Sequence, residues 1–141
     1  MYEISDTKKG EKVEFSNPPK EFFEALGVEG MRRFMYDFYE RISQSDIAHF
    51  FPQDEEEFEK VKQKNTDFFI QICGGPAVYD QDEDLNDYMV RFHEQFSIDE
   101  RARIEWLGTM REALEELDID EDLKRAFWEY VEAFSKLCVN C

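Results

Sequence analysis

Apolar residues in this chain recur three and four positions apart in stretch after stretch, and no sustained alternation separates them. That period puts side chains on one face of an α-helix, so each stretch predicts a helix with one buried side. No Asn-Gly hairpin signal occurs either, which leaves a sheet nothing to form from. The chain has 141 residues, enough for one domain with its own core. Disordered chains are poor in aromatics, whereas this one carries fourteen phenylalanines. The expected fold class is all-α.

The helices can be placed by their starts and stops. Residues 1–16 are polar and without period, and are expected to form an N-terminal extension, a loose arm or a short helix. The folded domain is expected over residues 17–141. Asn17-Pro18-Pro19 can open a first helix through Phe22, Phe23 and Leu26, which stops near Gly27. A second helix begins around Glu29 and carries Met31, Phe34, Met35, Phe38 and Ile42 on one stripe, with Tyr39 at its border. A tight turn from Ser45-Asp46 leads to His49-Phe50-Phe51-Pro52. Asp54 and Glu57 have the spacing of a capping box ahead of Phe58, Val61, Phe68, Phe69 and Ile72. Cys73-Gly74-Gly75-Pro76 ends that helix abruptly, since glycine supplies a positive φ and proline prevents continuation.

A loop from Ala77 to Glu83 follows, then a helix with Leu85, Met89, Phe92 and Phe96 on one buried stripe. Ser97 and Glu100 again have capping-box spacing. The helix after them buries Trp106, Leu107, Met110, Ala113, Leu114 and Leu117. Asp118 to Asp122 breaks the pattern, and a last helix buries Leu123, Phe127, Tyr130, Val131, Phe134 and Leu137.

Bulk charge excludes some functions. A net charge of −17 argues against nucleic acid and against an anionic membrane surface, and permits a basic protein partner such as a reductase. No apolar run approaches the ~18 residues of a membrane span. Three cysteines and no apolar leader fit a reducing cytoplasm. Glycine-rich phosphate loops, G-x-S-x-G and H-E-x-x-H are absent. Cys138 and Cys141 form a C-x-x-C, but at the chain end, away from the helix N-terminus that stabilises a thiolate.

What remains is a small set of polar residues on apolar faces. His93 lies between Met89 and Phe96 on the buried stripe, so it either bonds within the core or holds something. His49, beside a helix end, is the secondary candidate for a metal ligand. Tyr39 is either a core ring with its hydroxyl satisfied at the edge or a donor aimed into a pocket. Asn65 falls where the stripe demands an apolar residue. An unpaired buried amide costs about 1–3 kcal/mol, so it bonds either to another core group or to a ligand. Trp106 adds an indole N–H. An apolar cavity with a few convergent polar groups is the pattern of a ligand site, and one histidine on one side is how globins hold haem iron.

The segment from Leu26 to Asn140 resembles a truncated haemoglobin, most like group II. The motifs are FYERI (Phe38 to Ile42), HFFP (His49 to Pro52), CGGPAVY (Cys73 to Tyr79), RFHEQFSI (Arg91 to Ile98) and EWLGTM (Glu105 to Met110). The resemblance implies a shortened globin, two helices over two around one haem b. It makes His93 the proximal iron ligand, Tyr39 the distal tyrosine and Trp106 the distal tryptophan. Phe51 would pack on the haem face, Phe68 and Phe69 would line the pocket, and Phe96 would flank the cofactor.

The chain departs from the family in places. Where group II proteins often carry a His-Pro and several arginines, it has Asp82-Glu83-Asp84-Leu85, and Arg91 is the one nearby candidate for the haem propionates. Asn65 stands where an apolar residue or glutamine is frequent, and Val61 where a small residue often leaves an open path. The implied function is binding of dioxygen, nitric oxide or related diatomics, with chemistry or sensing favoured over bulk transport. Nitric oxide detoxification and peroxide reactions are both compatible with it. The competing reading is a haem-free globin-fold interaction domain in which His93, Tyr39 and Asn65 form a buried polar network.

Overall fold

The computed structural model describes residues 2–79 and 84–141. Among them are five α-helices and no strand: α1 (Lys20–Ile42), α2 (Glu55–Ile72), α3 (Leu85–His93), α4 (Glu100–Glu115) and α5 (Glu121–Leu137), with a single 3₁₀ turn at Ala48–Phe50. α1 packs on α2, α4 and α5, and α4 packs on α5. This is the two-over-two arrangement of a shortened globin. The core between the helices is aromatic. Phe22 stacks on Phe127 with ring centroids 4.5 Å apart, and both are fully buried. Each such ring contributes about 1.5–3 kcal/mol through its burial.

Two glycine positions shape the chain. Gly27 adopts φ 72° and ψ 176°, which breaks α1 into the two expected helices. Gly74 takes φ 92° directly after α2, and a Cβ on Gly75 would lie 2.8 Å from the Ile70 carbonyl oxygen. The abrupt stop read from Cys73-Gly74-Gly75-Pro76 therefore has both a conformational and a steric cause.

Aspartates start four of the helices. Asp54, Asp84, Asp99 and Asp120 each accept a hydrogen bond from a backbone N–H two or three residues on. Caps of this kind are worth ~0.5–2 kcal/mol each, and a negative charge there also suits the helix dipole. Some of the chain's acidity is thus structural. Two expected caps differ. Ser97 does not cap α4: Asp99 does, because the chain stays extended through it. Pro19 holds the N-cap position of α1, and the Asn17 side chain instead accepts from Asn86 Nδ2 at 2.7 Å.

Residues 2–16, expected to be a loose arm or short helix, contain no helix and lie against α4 and α5. Tyr2 is buried and donates to Glu121, while the Trp128 indole N–H donates to the Glu3 carbonyl. Phe15 meets Tyr130 and Phe134 edge-on. The arm covers a second face of α5, around Trp128, beside the expected stripe of Leu123, Phe127, Tyr130, Val131, Phe134 and Leu137. The expected loop from Ala77 falls partly on residues 80–83, which lie outside the described residues.

Candidate functional site

A cavity of about 500 Å³ opens between the helix pairs. α1, the turn after it and α2 supply Tyr39, Phe51, Val61, Asn65, Phe68 and Phe69. From α3, the segment after it, α4 and α5 come His93, Phe96, Trp106, Arg103 and Ser135, among others. Nine of the ten residues expected around the haem therefore line one space. The tenth, Arg91, does not. It is exposed, and its Nε donates to Asp87 at 3.1 Å, four residues back on the same helix. Phe92 also differs from expectation: it is 42% exposed, at the rim of the cavity. His49 is exposed and rests against Phe50, and it does not line the cavity.

On the α3 side, His93 ends its helix. Its Nδ1 lies 2.7 Å from the Met89 carbonyl oxygen. A carbonyl only accepts, so Nδ1 carries the proton and the neutral ring keeps its lone pair on Nε2. Burial pushes the imidazole below its ordinary pKa, and the Met89 bond offsets this only in part. The group is thus a neutral imidazole with one nitrogen free, the form that ligates metals.

On the α1 and α2 side, Tyr39 is 3% exposed and boxed by rings. Phe38, Phe51 and Phe58 meet it edge-on at 4.8, 5.9 and 6.5 Å. Asn65 Nδ2 donates to its hydroxyl oxygen at 2.9 Å. Burial pushes the phenol well above its ordinary pKa, so it stays protonated. Trp106 is half-buried and packs edge-on against Phe38 at 5.2 Å.

Several residues escaped the sequence reading. Arg103 lines the cavity yet is only 2% exposed. It donates to Ser135 Oγ at 2.9 Å, to the Glu132 carboxylate at 2.8 Å, to Glu100 at 3.1 Å and to the Ser5 carbonyl at 2.9 Å. A signal existed: Arg103 stands three before Trp106 and four before Leu107, a charge on the buried stripe. Lys64 also lines the cavity from an exposed position, with Nζ 6.0 Å from the Tyr79 ring centre. Cys138 lines it too. That residue is the C-cap of α5, where the helix dipole opposes a thiolate, and burial pushes its thiol up to about 12. Cys141 is exposed.

A flat tetrapyrrole with two carboxylates needs apolar walls, one imidazole with a free lone pair and a cation near the rim. The phenylalanine walls, His93 and Lys64 meet those three needs. The family model for bacterial-like globins matches residues 21–140. The chain belongs to the bacterial-like globin family. Globins of this kind generally bind haem and small gaseous ligands. The chain is 25% identical to the group 2 truncated hemoglobin YjbI of Bacillus subtilis (strain 168), over 84% of this chain and 87% of that protein. It is 28% identical to the two-on-two hemoglobin-3 of Arabidopsis thaliana over 78% of this globin, which spans 63% of the plant protein. The crystal structure of phosphate-bound Hell's gate globin IV superposes with a TM-score of 0.86 at 27% identity, covering 99% of this chain and 87% of that one. That likeness takes in the N-terminal arm along with the helices.

Proposed function

We propose that this globin binds haem b through His93 Nε2 and retains dioxygen or a related diatomic ligand by hydrogen bonds from Tyr39 and Trp106. The observation that carries the reading is the 2.7 Å contact of His93 Nδ1 with the Met89 carbonyl, which fixes the tautomer and leaves Nε2 free on a cavity wall. Haem iron, when bound, supplies an open coordination position for a small ligand. The chain supplies the surroundings. Phe51, Phe68, Phe69 and Phe96 exclude water, and Val61 bounds the path beside Asn65. Because Asn65 donates to the Tyr39 oxygen, the tyrosine proton is available to a ligand in the cavity. Lys64 takes the propionate role that the sequence offered to Arg91, since Arg91 is turned to Asp87.

Strong donors on the ligand side slow release, which suits reaction or sensing better than transport. Nitric oxide chemistry fits the same arrangement, and an acidic surface of net charge −17 suits a basic reductase as electron donor.

Reconstitution tests the reading. Haem-free protein titrated with haemin should saturate at one haem per chain, and the reduced form should bind carbon monoxide. Failure to take up haem would favour the haem-free interaction domain, in which the Tyr39–Asn65 bond is a core polar pair.

A further inference from the structure

We infer that Asn140, in the chain's C-terminal tail, is a positioning residue for His93. The inference rests on the reading of His93 as the haem ligand. Asn140 lies three residues beyond the end of α5, yet it makes four hydrogen bonds to the segment that begins at His93. Its Nδ2 donates to the Phe96 carbonyl at 2.7 Å and to the His93 carbonyl at 3.3 Å. Its Oδ1 accepts from the Ile98 N–H at 2.9 Å, and its own backbone N–H donates to the Ile98 carbonyl at 2.9 Å.

The need for such a clamp follows from α3. The helix has nine residues, too few to be stable alone, and its buried residues are Leu85 and Met89. Its last carbonyls lack partners within the helix. Near its start, Asn86 accepts from the Tyr130 hydroxyl at 2.6 Å and donates to Asn17. At its other end the tail does the same work. Val139 and Cys138, both buried, anchor the tail next to Asn140. The His93 ring is fixed to its own helix by the Met89 bond, so the place of the ring follows the place of the helix end.

Only an amide can do this. It accepts from the Ile98 N–H on one side and donates to two carbonyls on the other. A carboxylate would keep the first bond and face two carbonyl oxygens with no proton. Asn140→Asp therefore separates the donor role from the acceptor role within nearly the same volume.

The test compares the haem-loaded parent, Asn140→Asp and Asn140→Ala, each at a temperature where it is fully folded. The first readout is the ferrous iron–histidine stretching band, and the second is the rate of haem loss to an acceptor globin. Amide hydrogen exchange at Ile98 in the haem-free proteins is the third. Both variants should shift or broaden the iron–histidine band and lose haem about tenfold faster, the effect of one or two hydrogen bonds. Ile98 should stay protected in Asn140→Asp and lose protection in Asn140→Ala. An unchanged band and haem-loss rate in Asn140→Asp, with the parent's band present, would overturn the positioning role alone. A parent without an iron–histidine band, or one that persists in His93→Ala, would overturn the ligand reading and this inference together.

Discussion

Asn65 Nδ2 lies 2.9 Å from the hydroxyl oxygen of Tyr39, and the amide is the donor. The phenol oxygen is thereby satisfied as an acceptor, and its proton is directed elsewhere. A buried phenol without this partner could turn its proton either way. The amide that breaks the α2 stripe thus sets the direction of a group on α1.

That relationship predicts a coupled pair. Asn65→Leu should cost the haem-free protein about 1 kcal/mol, because it strips the Tyr39 oxygen of its partner. Tyr39→Phe should cost a similar amount. The double substitution should cost clearly less than the sum, as expected for two partners removed together. Chemical denaturation of the four proteins checks this, and additive losses would count against the pair. In the haem-loaded forms, Tyr39→Phe should speed dioxygen release about tenfold, and Asn65→Leu should shift the Fe–CO stretching frequency.

Trp106 is held by Phe38 through an edge contact that a phenylalanine can keep. Trp106→Phe should leave stability within about 1 kcal/mol, since such contacts are worth ~0.5–1.5 kcal/mol. Dioxygen release should still speed up several-fold, because the indole N–H is gone. Stopped-flow release measured beside thermal unfolding separates the two effects. A large stability loss with unchanged release would make Trp106 a packing residue.

The arm predicts an acid-sensitive contact. Burial pushes the Glu132 carboxyl up, but bonds from the Ser5 N–H and hydroxyl and from Arg103 together hold it below its ordinary value of 4.5. Its contribution is therefore present above that pH and is lost as pH falls through the folded value. In a Trp106→Phe background, Trp128 is the sole tryptophan and reports the arm, because its indole bonds to Glu3. Its fluorescence should change below about pH 4.5, and Glu132→Gln should remove that transition. Arg103→Met should destabilise the protein by about 1–3 kcal/mol, because the Ser135 hydroxyl, the Glu132 and Ser5 carbonyls and the half-buried Glu132 carboxylate lose a shared donor.

How much of this was legible in the sequence depended on distance along the chain. Helical stripes brought Tyr39, Asn65, His93 and Trp106 to buried faces, and local signals gave the Asp54 cap, the break at Asp118 to Asp122 and the stop at Gly74. Ser97 misled because it has a cap's spacing, while Asp99 two residues later has both the chemistry and the extended backbone. Arg103 showed in the sequence as a charge on the buried stripe of α4, but the arm and Asn140 were illegible for one shared reason. Each is a polar residue or segment whose partners lie far away: Ser5 sits 98 positions from Arg103, and Asn140 sits 47 from His93. Periodicity reads only one helix at a time, so residues satisfied across helices look like solvated surface. Arg91 misled in the opposite way. A cation two residues before His93 looked like a propionate partner, but Asp87 one helical turn earlier takes its guanidinium.

The most direct test of the central claim is the ferrous spectrum of His93→Ala with and without added imidazole. The variant should lose the five-coordinate histidine spectrum, and exogenous imidazole should restore it by occupying the space the ring left. An unchanged histidine-ligated spectrum in His93→Ala without imidazole would contradict the claim, and would move the iron to another residue.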